Sequence, residues 1–160
     1  MDETIHILAR VGIVGVALVG GALFAFSAFV MAALAQMPVA QGIRAMQHIN
    51  TTVFTPWFMG PFFGTALLGV GAVVLGLLNT EQGWWFPMAS AGLLYVLGVF
   101  VVTAAGNVPL NTRLAAVDAD DPRSAELWRT YVVVWTRWNH VRVIASVLAL
   151  IQFGGALRAL

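Results

Sequence analysis

No cysteine occurs in this chain. Disulfides, iron–sulfur clusters and thiolate nucleophiles are therefore excluded. Lysine is absent too, so all eight basic residues are arginine. Charge of either sign is scarce: 9% of the 160 residues are charged, against about 25% in a soluble domain. The acids all lie outside the apolar runs, at Asp2, Glu3, Glu81 and between Asp118 and Glu126. No carboxylate pair can then be buried for general acid–base work. No glycine-rich phosphate loop and no dinucleotide fingerprint occurs. Three histidines and six methionines show no repeated ligand spacing, so no metal site is expected. The formal net charge of +1 gives no electrostatic footprint for nucleic acid.

What remains is apolar. Hydrophobic residues make up 60% of the chain, and the mean hydropathy is +0.87. The reading is one all-α domain over residues 1–160: an integral membrane four-helix bundle with spans at about 7–34, 56–78, 84–106 and 135–157, each long enough for a hydrocarbon core of about 30 Å. An interfacial segment joins helices 1 and 2, and helix 4 begins with an extended amphipathic stretch. A cleaved signal peptide is not expected, because Asp2 and Glu3 stand where positive charge is required and the apolar run that follows is too long.

Helix 1 carries no charge after Arg10, and Ser27 and Met31 share a face near its end. Gly12, Gly15, Gly20 and Gly21 suit a close helix approach. His6 and Arg10 read as an interfacial pair. In the following connector Ile43, Met46, Ile49 and Val53 make one apolar face, with Arg44, Gln47 and His48 largely away from it, as in a helix lying in the membrane interface. Helix 2 starts at Thr55 and Pro56, a good N-cap followed by proline at the first helical position. Gly60 and Gly64 form a small-xxx-small pair, and Pro61 is expected to bend the first turns. Trp57, Phe58, Phe62 and Phe63 fit either an aromatic belt or the wall of an apolar pocket. Trp84 and Trp85 are read as interface anchors of helix 3, and Pro109 as the end of regular helix there.

Four spans put both termini on one side. Arg44, Arg113, Arg123, Arg129, Arg137 and Arg142 lie in or beside the two long connectors. The positive-inside rule makes that side cytoplasmic, and the expected location is a bacterial inner membrane.

The chemistry gathers on helix 4. Trp128, Tyr131, Trp135, Asn139, Arg142 and Ser146 are spaced so that, at about 100° per residue, they share a stripe roughly 80° wide. An arginine and an asparagine on a membrane-entering helix need partners, since an unpaired polar group in hydrocarbon costs several kcal/mol. The connectors bring His48 and Asn50, and then Asn107 and Asn111, to the same membrane face. One pocket is expected there, for a flat apolar molecule bearing oxygen. Trp and Phe rings would stack on it, and Arg142 and the amides would bind a carbonyl, phenolate or enolate. The other reading is that these groups only join helices or meet lipid headgroups.

The strings AMQHINTTVFTPWF at 45–58 and GNVPLNTRL at 106–114, with the pattern WxxYxxxWxxxNxxR from Trp128 to Arg142, resemble the anthrone oxygenase-like membrane family. By position the matching residues are Asn50, Pro56, Asn107, Pro109, Asn111, Trp135, Asn139 and Arg142. The resemblance implies oxidation of an anthrone by dioxygen without metal, flavin or other cofactor. On that footing His48, Arg142, Asn139 and Asn107 are candidate catalytic residues, with His48 as base, imidazole being the side chain that exchanges protons near neutral pH. Tyr131 is the weaker candidate base. Asn50, Phe58, Asn111, Tyr131 and Trp135 are candidate substrate contacts. The partners expected are an apolar small molecule or lipid, the membrane and a further copy of the chain, with no nucleic acid. The competing reading is a non-catalytic membrane protein holding a quinone, a lipid or a partner helix.

Overall fold

The computed structural model describes residues 2–160; the expectation made for Met1 lies outside them. The structure is all-helical, and four of its helices are long and apolar enough to cross a membrane: α1 (Glu3–Gln36), α3 (Pro56–Leu78), α4 (Trp85–Ala115) and α5 (Ser124–Arg158). The shorter α2 (Val39–Thr52) lies between α1 and α3. The long helices form a closed ring in which α1 touches α3 and α5, and α4 touches the same two. Neighbours run antiparallel. Gly12 of α1 faces Phe153 and Gly20 faces Ser146, while Gly106 of α4 faces Trp138 and Gly98 faces Ala145. The start of α1, the end of α5 and the α3–α4 turn thus share one end of the bundle, where Gly83 approaches Ala159.

The outward faces are apolar. Leu18, Phe24, Val70, Leu77, Leu97, Ile144 and Ile151 are all exposed. Such continuous bands suit lipid, where only helices with internally paired backbones can stand. The inner faces pack Val16, Val19, Phe62, Met88, Tyr95, Val99 and Phe153 into the main core. Gly15 lets α1 close onto Thr65, and Gly92 lies directly on the Gly69 carbonyl. Gly60 and Gly64 meet nothing within 4 Å, so the small-xxx-small pair read in the sequence faces outward and joins no helix in this fold. Trp84, read as an interface anchor, is instead 3% exposed and part of the core. Trp57, at 91% exposure, suits the aromatic belt.

A second core closes the connector end. Met31 and Leu34 of α1, Ile43 and Met46 of α2, Leu114 of α4 and Trp128 and Tyr131 of α5 meet there. The apolar face read in α2 is the one it buries. Gln47, however, turns toward the bundle. Its Nε2 donates to the carbonyls of Leu114 at 2.9 Å and Val117 at 3.1 Å, tying α2 to the end of α4. Arg44 meets Asp120 at 2.7 Å on the surface.

One boundary differs from the sequence reading. α4 runs through Pro109 to Ala115 and does not stop near Gly106. Wide π-helical turns occupy Val96–Val101 and Thr103–Asn107. They change the hydrogen-bond register just ahead of Pro109, which then sits in the first turn of the helical segment Val108–Ala115, where no amide hydrogen is needed. α5 is one helix of 35 residues, about 52 Å long at 1.5 Å per residue. Its last 20 or so residues suffice to span about 30 Å of hydrocarbon, so its first turns stand outside.

Candidate functional site

The face of α5 that the spacing predicts is the face it buries: Trp128, Tyr131, Trp135, Asn139, Arg142 and Ser146 are all inside. Asn139 is fully buried and its amide is used at both ends. Nδ2 donates to the Leu23 carbonyl and to Ser27 Oγ, each at 2.7 Å. Oδ1 accepts from Arg142 Nη2 at 2.7 Å. Arg142 Nη1 donates to Thr103 Oγ1 at 3.1 Å, and Thr103 in turn donates to the Val99 carbonyl. The Arg142 Cζ lies 5.2 Å from the centre of the Trp135 ring, within range of a cation–π contact. Ser146 closes the row by donating to the Arg142 carbonyl at 2.8 Å.

Arg142 is 4% exposed, and among the described residues no carboxylate pairs with it; the ion pairs there are Arg44–Asp120 and Arg123–Asp121, both at the surface. Outside the membrane, Arg123 beside Asp121 holds that carboxyl below its ordinary range. Inside, the guanidinium has only an amide, a hydroxyl and a ring face. A buried cation without a counter-ion is expensive. Such a group marks a place where an anion would be welcome.

A second set of bonds meets the first at Trp135. Asn111 Oδ1 accepts from the Tyr131 hydroxyl at 2.8 Å and from Trp135 Nε1 at 2.9 Å. Asn107 Nδ2 donates to the Trp135 carbonyl at 3.2 Å. Trp128, Tyr131 and Trp135 stack in series, with centroids 5.7 and 6.4 Å apart, and Phe26 of α1 leans on Trp135 at 5.6 Å. Asn107, Asn111, Asn139 and Arg142 thus form one polar group running through Trp135. Three buried atoms in it lack a hydrogen-bond partner among the described residues: Asn50 Nδ2, Asn107 Oδ1 and Arg142 Nε. Two are donors and one an acceptor, the complement needed by a small oxygen-bearing molecule or water.

Two other expected residues, His48 and Phe58, lie elsewhere, and Asn50 stands at the edge of the group. Asn50 is half-buried beside the Tyr131 hydroxyl. His48 is exposed, and its imidazole makes no hydrogen bond to the group among the described residues; only its carbonyl is used, by Thr51. Phe58 stacks with Phe62 at 6.0 Å in the main core, apart from the Trp135 stack.

The structure adds Ser27, Thr103 and His140. Ser27 is the lone polar residue between Arg10 and Gln36, a signal legible in the sequence. At about 100° per residue His140 points well away from the stripe, yet its Nδ1 lies 2.9 Å from Ser27 Oγ, because α1 packs against that flank of α5. Ser27 sits in a wide turn at Phe26–Val30, and Thr103 and Asn107 sit in another. Wide turns of this kind accompany functional sites. Here they supply side chains that contact α5.

An open groove of about 390 Å³ runs along the surface between α4 and α5, lined by Leu110, Arg113, Leu127, Thr130 and Tyr131 among others. It shares Tyr131 with the buried group, but Asn107, Trp135, Asn139 and Arg142 do not line it. Among the described residues no three His, Asp or Glu side chains gather as metal ligands.

A family model described as anthrone oxygenase matches residues 54–151, which include Asn107, Asn111, Trp135, Asn139 and Arg142. Comparison with curated proteins and with solved structures gives no match.

Proposed function

The chain belongs to the anthrone oxygenase family, and from that premise we propose that its polar group binds a flat aromatic ketone or phenol and stabilises its anion for direct reaction with dioxygen. An anthrone that loses a proton from its methylene carbon becomes an electron-rich anion. That anion can pass electrons to dioxygen itself: anthrone plus dioxygen gives anthraquinone plus water. The protein then has to bind the ring, accept a proton and hold the oxyanion.

The observation that carries the reading is Arg142: 4% exposed, with no carboxylate partner among the described residues, and oriented by Asn139 and Thr103. Arg142, whose Nε has no partner among the described residues, is the oxyanion donor, and Asn139 and Asn107 hold the group in place through their bonds to α1, Arg142 and Trp135. Asn50, Asn111, Tyr131 and Trp135 line the ring's place, and the groove that reaches Tyr131 is the way in. Phe58 stacks on Phe62 and lies apart from that place. The arginines around the connectors make that face cytoplasmic. No cofactor is required, because the substrate supplies the electrons.

The test is Arg142→Gln, which keeps hydrogen bonding and removes charge. Losing one preorganised oxyanion donor typically costs about 100- to 1,000-fold in rate. Turnover of dihydroxyanthrone should fall by that factor while the unfolding midpoint in detergent moves little. A second reading has its own observation: Asn111 Oδ1 and Asn139 Nδ2 each spend two hydrogen bonds on other helices. If turnover falls only with the folded fraction, or if the wild type neither binds nor oxidises such compounds, the group is a helix joint and the protein is a non-catalytic membrane component.

A further inference from the structure

One titratable side chain touches the polar group without a part in the reading above. His140 is exposed, and its Nδ1 lies 2.9 Å from Ser27 Oγ. The neighbours of Asn139 fix the direction of the bonds. Arg142 can only donate, so it faces the Asn139 oxygen; the Leu23 carbonyl can only accept, so it faces the nitrogen. Ser27 Oγ, bonded to that same nitrogen at 2.7 Å, is therefore an acceptor there. Its own hydrogen is left for His140 Nδ1, which places the ring hydrogen of a neutral His140 on Nε2, the exposed side.

The position along α5 matters as well. If the last 20 or so residues of that helix span the hydrocarbon, His140 stands at the connector-side boundary, within reach of water. The charged groups around it are Arg137, exposed one turn before it, and Arg142, directed into the bundle. α1 brings no titratable side chain between Arg10 and its end at Gln36, and α4 brings none between Tyr95 and Arg113.

Resting on the reading proposed above, we infer that Ser27 and His140 carry the substrate's proton out of the site. The C–H bond of the substrate breaks and its electron pair stays on the enolate. The proton passes to Ser27 Oγ as the hydroxyl's own hydrogen moves to His140 Nδ1, and the imidazolium then gives a proton to water. In this relay Ser27, bonded to the Asn139 amide that also holds Arg142, takes the proton from the substrate, and His140 acts through it. Imidazole is suited to this exchange near neutral pH.

Proton removal can be read apart from oxidation. With the full chain in detergent, dihydroxyanthrone in deuterated buffer without dioxygen should exchange its methylene hydrogens faster than the protein-free background, followed by NMR. His140→Ala and Ser27→Ala should each slow the protein-dependent exchange by about 100-fold, the low end of a general-base contribution. His140→Ala should also flatten its pH dependence. Added imidazole should restore His140→Ala, whose site is open, but not Ser27→Ala. Ser27→Thr, which keeps the hydroxyl, should recover most of the exchange that Ser27→Ala loses. Wild-type rate and pH profile in His140→Ala would overturn the relay while leaving the oxyanion reading intact. Rescue of Ser27→Ala by imidazole would remove Ser27 from it. A wild type that exchanges no faster than background would overturn both.

Discussion

Asn111 is the residue whose loss should be felt most plainly, because one oxygen serves two buried donors, the Tyr131 hydroxyl and Trp135 Nε1. Asn111→Leu leaves both unpaired. Each orphaned buried donor costs about 1–3 kcal/mol, so a loss of roughly 2–6 kcal/mol is expected from denaturant titration in detergent. A cost under about 1 kcal/mol would mean that water or lipid headgroups reach these donors. At this scale the sequence was informative where one helix decides the matter. The stripe from Trp128 to Ser146 follows from spacing alone, and so does the need of Arg142 for company. It was uninformative where a neighbour decides. A wheel drawn for α5 gives the direction of His140 but not the flank on which α1 lies, so the Ser27 contact is not legible in the sequence.

Among elements, α3 and α4 meet more closely than side chains allow. A Cβ on Gly92 would run into the backbone carbonyl of Gly69, which has no rotamer to escape by. Gly92→Leu should therefore force the helices apart, at a cost of about 1–3 kcal/mol or more, read as a lower unfolding midpoint. Gly60→Leu should leave the midpoint unchanged, since nothing stands near Gly60. Both glycines look alike as letters in apolar runs; only the partner's backbone tells them apart. The long helices were legible because apolar length is a property of composition. The wide turns were not, since a π turn is made by one residue too many for its phase, and no residue type announces it. For the same reason Pro109 was read as a stop, although the altered register ahead of it lets α4 continue.

The molecule as a whole is a ring of four antiparallel spans with the polar group toward one end. Reporter fusions after residues 80 and 115 should land on opposite sides of the membrane, the second on the side that carries most arginines. Equal labelling of the two would contradict the arrangement in which Gly83 lies near Ala159 while Gln47 holds the far end of α4. A topology of this kind depends on counting apolar runs, so it was readable from the chain. The closure of the connector end by α2 was only half readable: Ile43 and Met46 declare the buried face, whereas Gln47 declares nothing until the carbonyls at the end of α4 are in place.

The wide turn at Thr103–Asn107 has a further consequence. It works like a leap day: one extra place in the count that keeps everything after it in season. Strike out Ala104 or Ala105 and the turn can close to ordinary α-helix, so every side chain beyond keeps its direction; strike out a residue from a regular stretch of α4 and each one beyond slips by about 100°. Even in the first case Pro109 would arrive where an amide hydrogen is owed. The extra residue is thus what lets a proline stand inside a long span at no cost in backbone bonds.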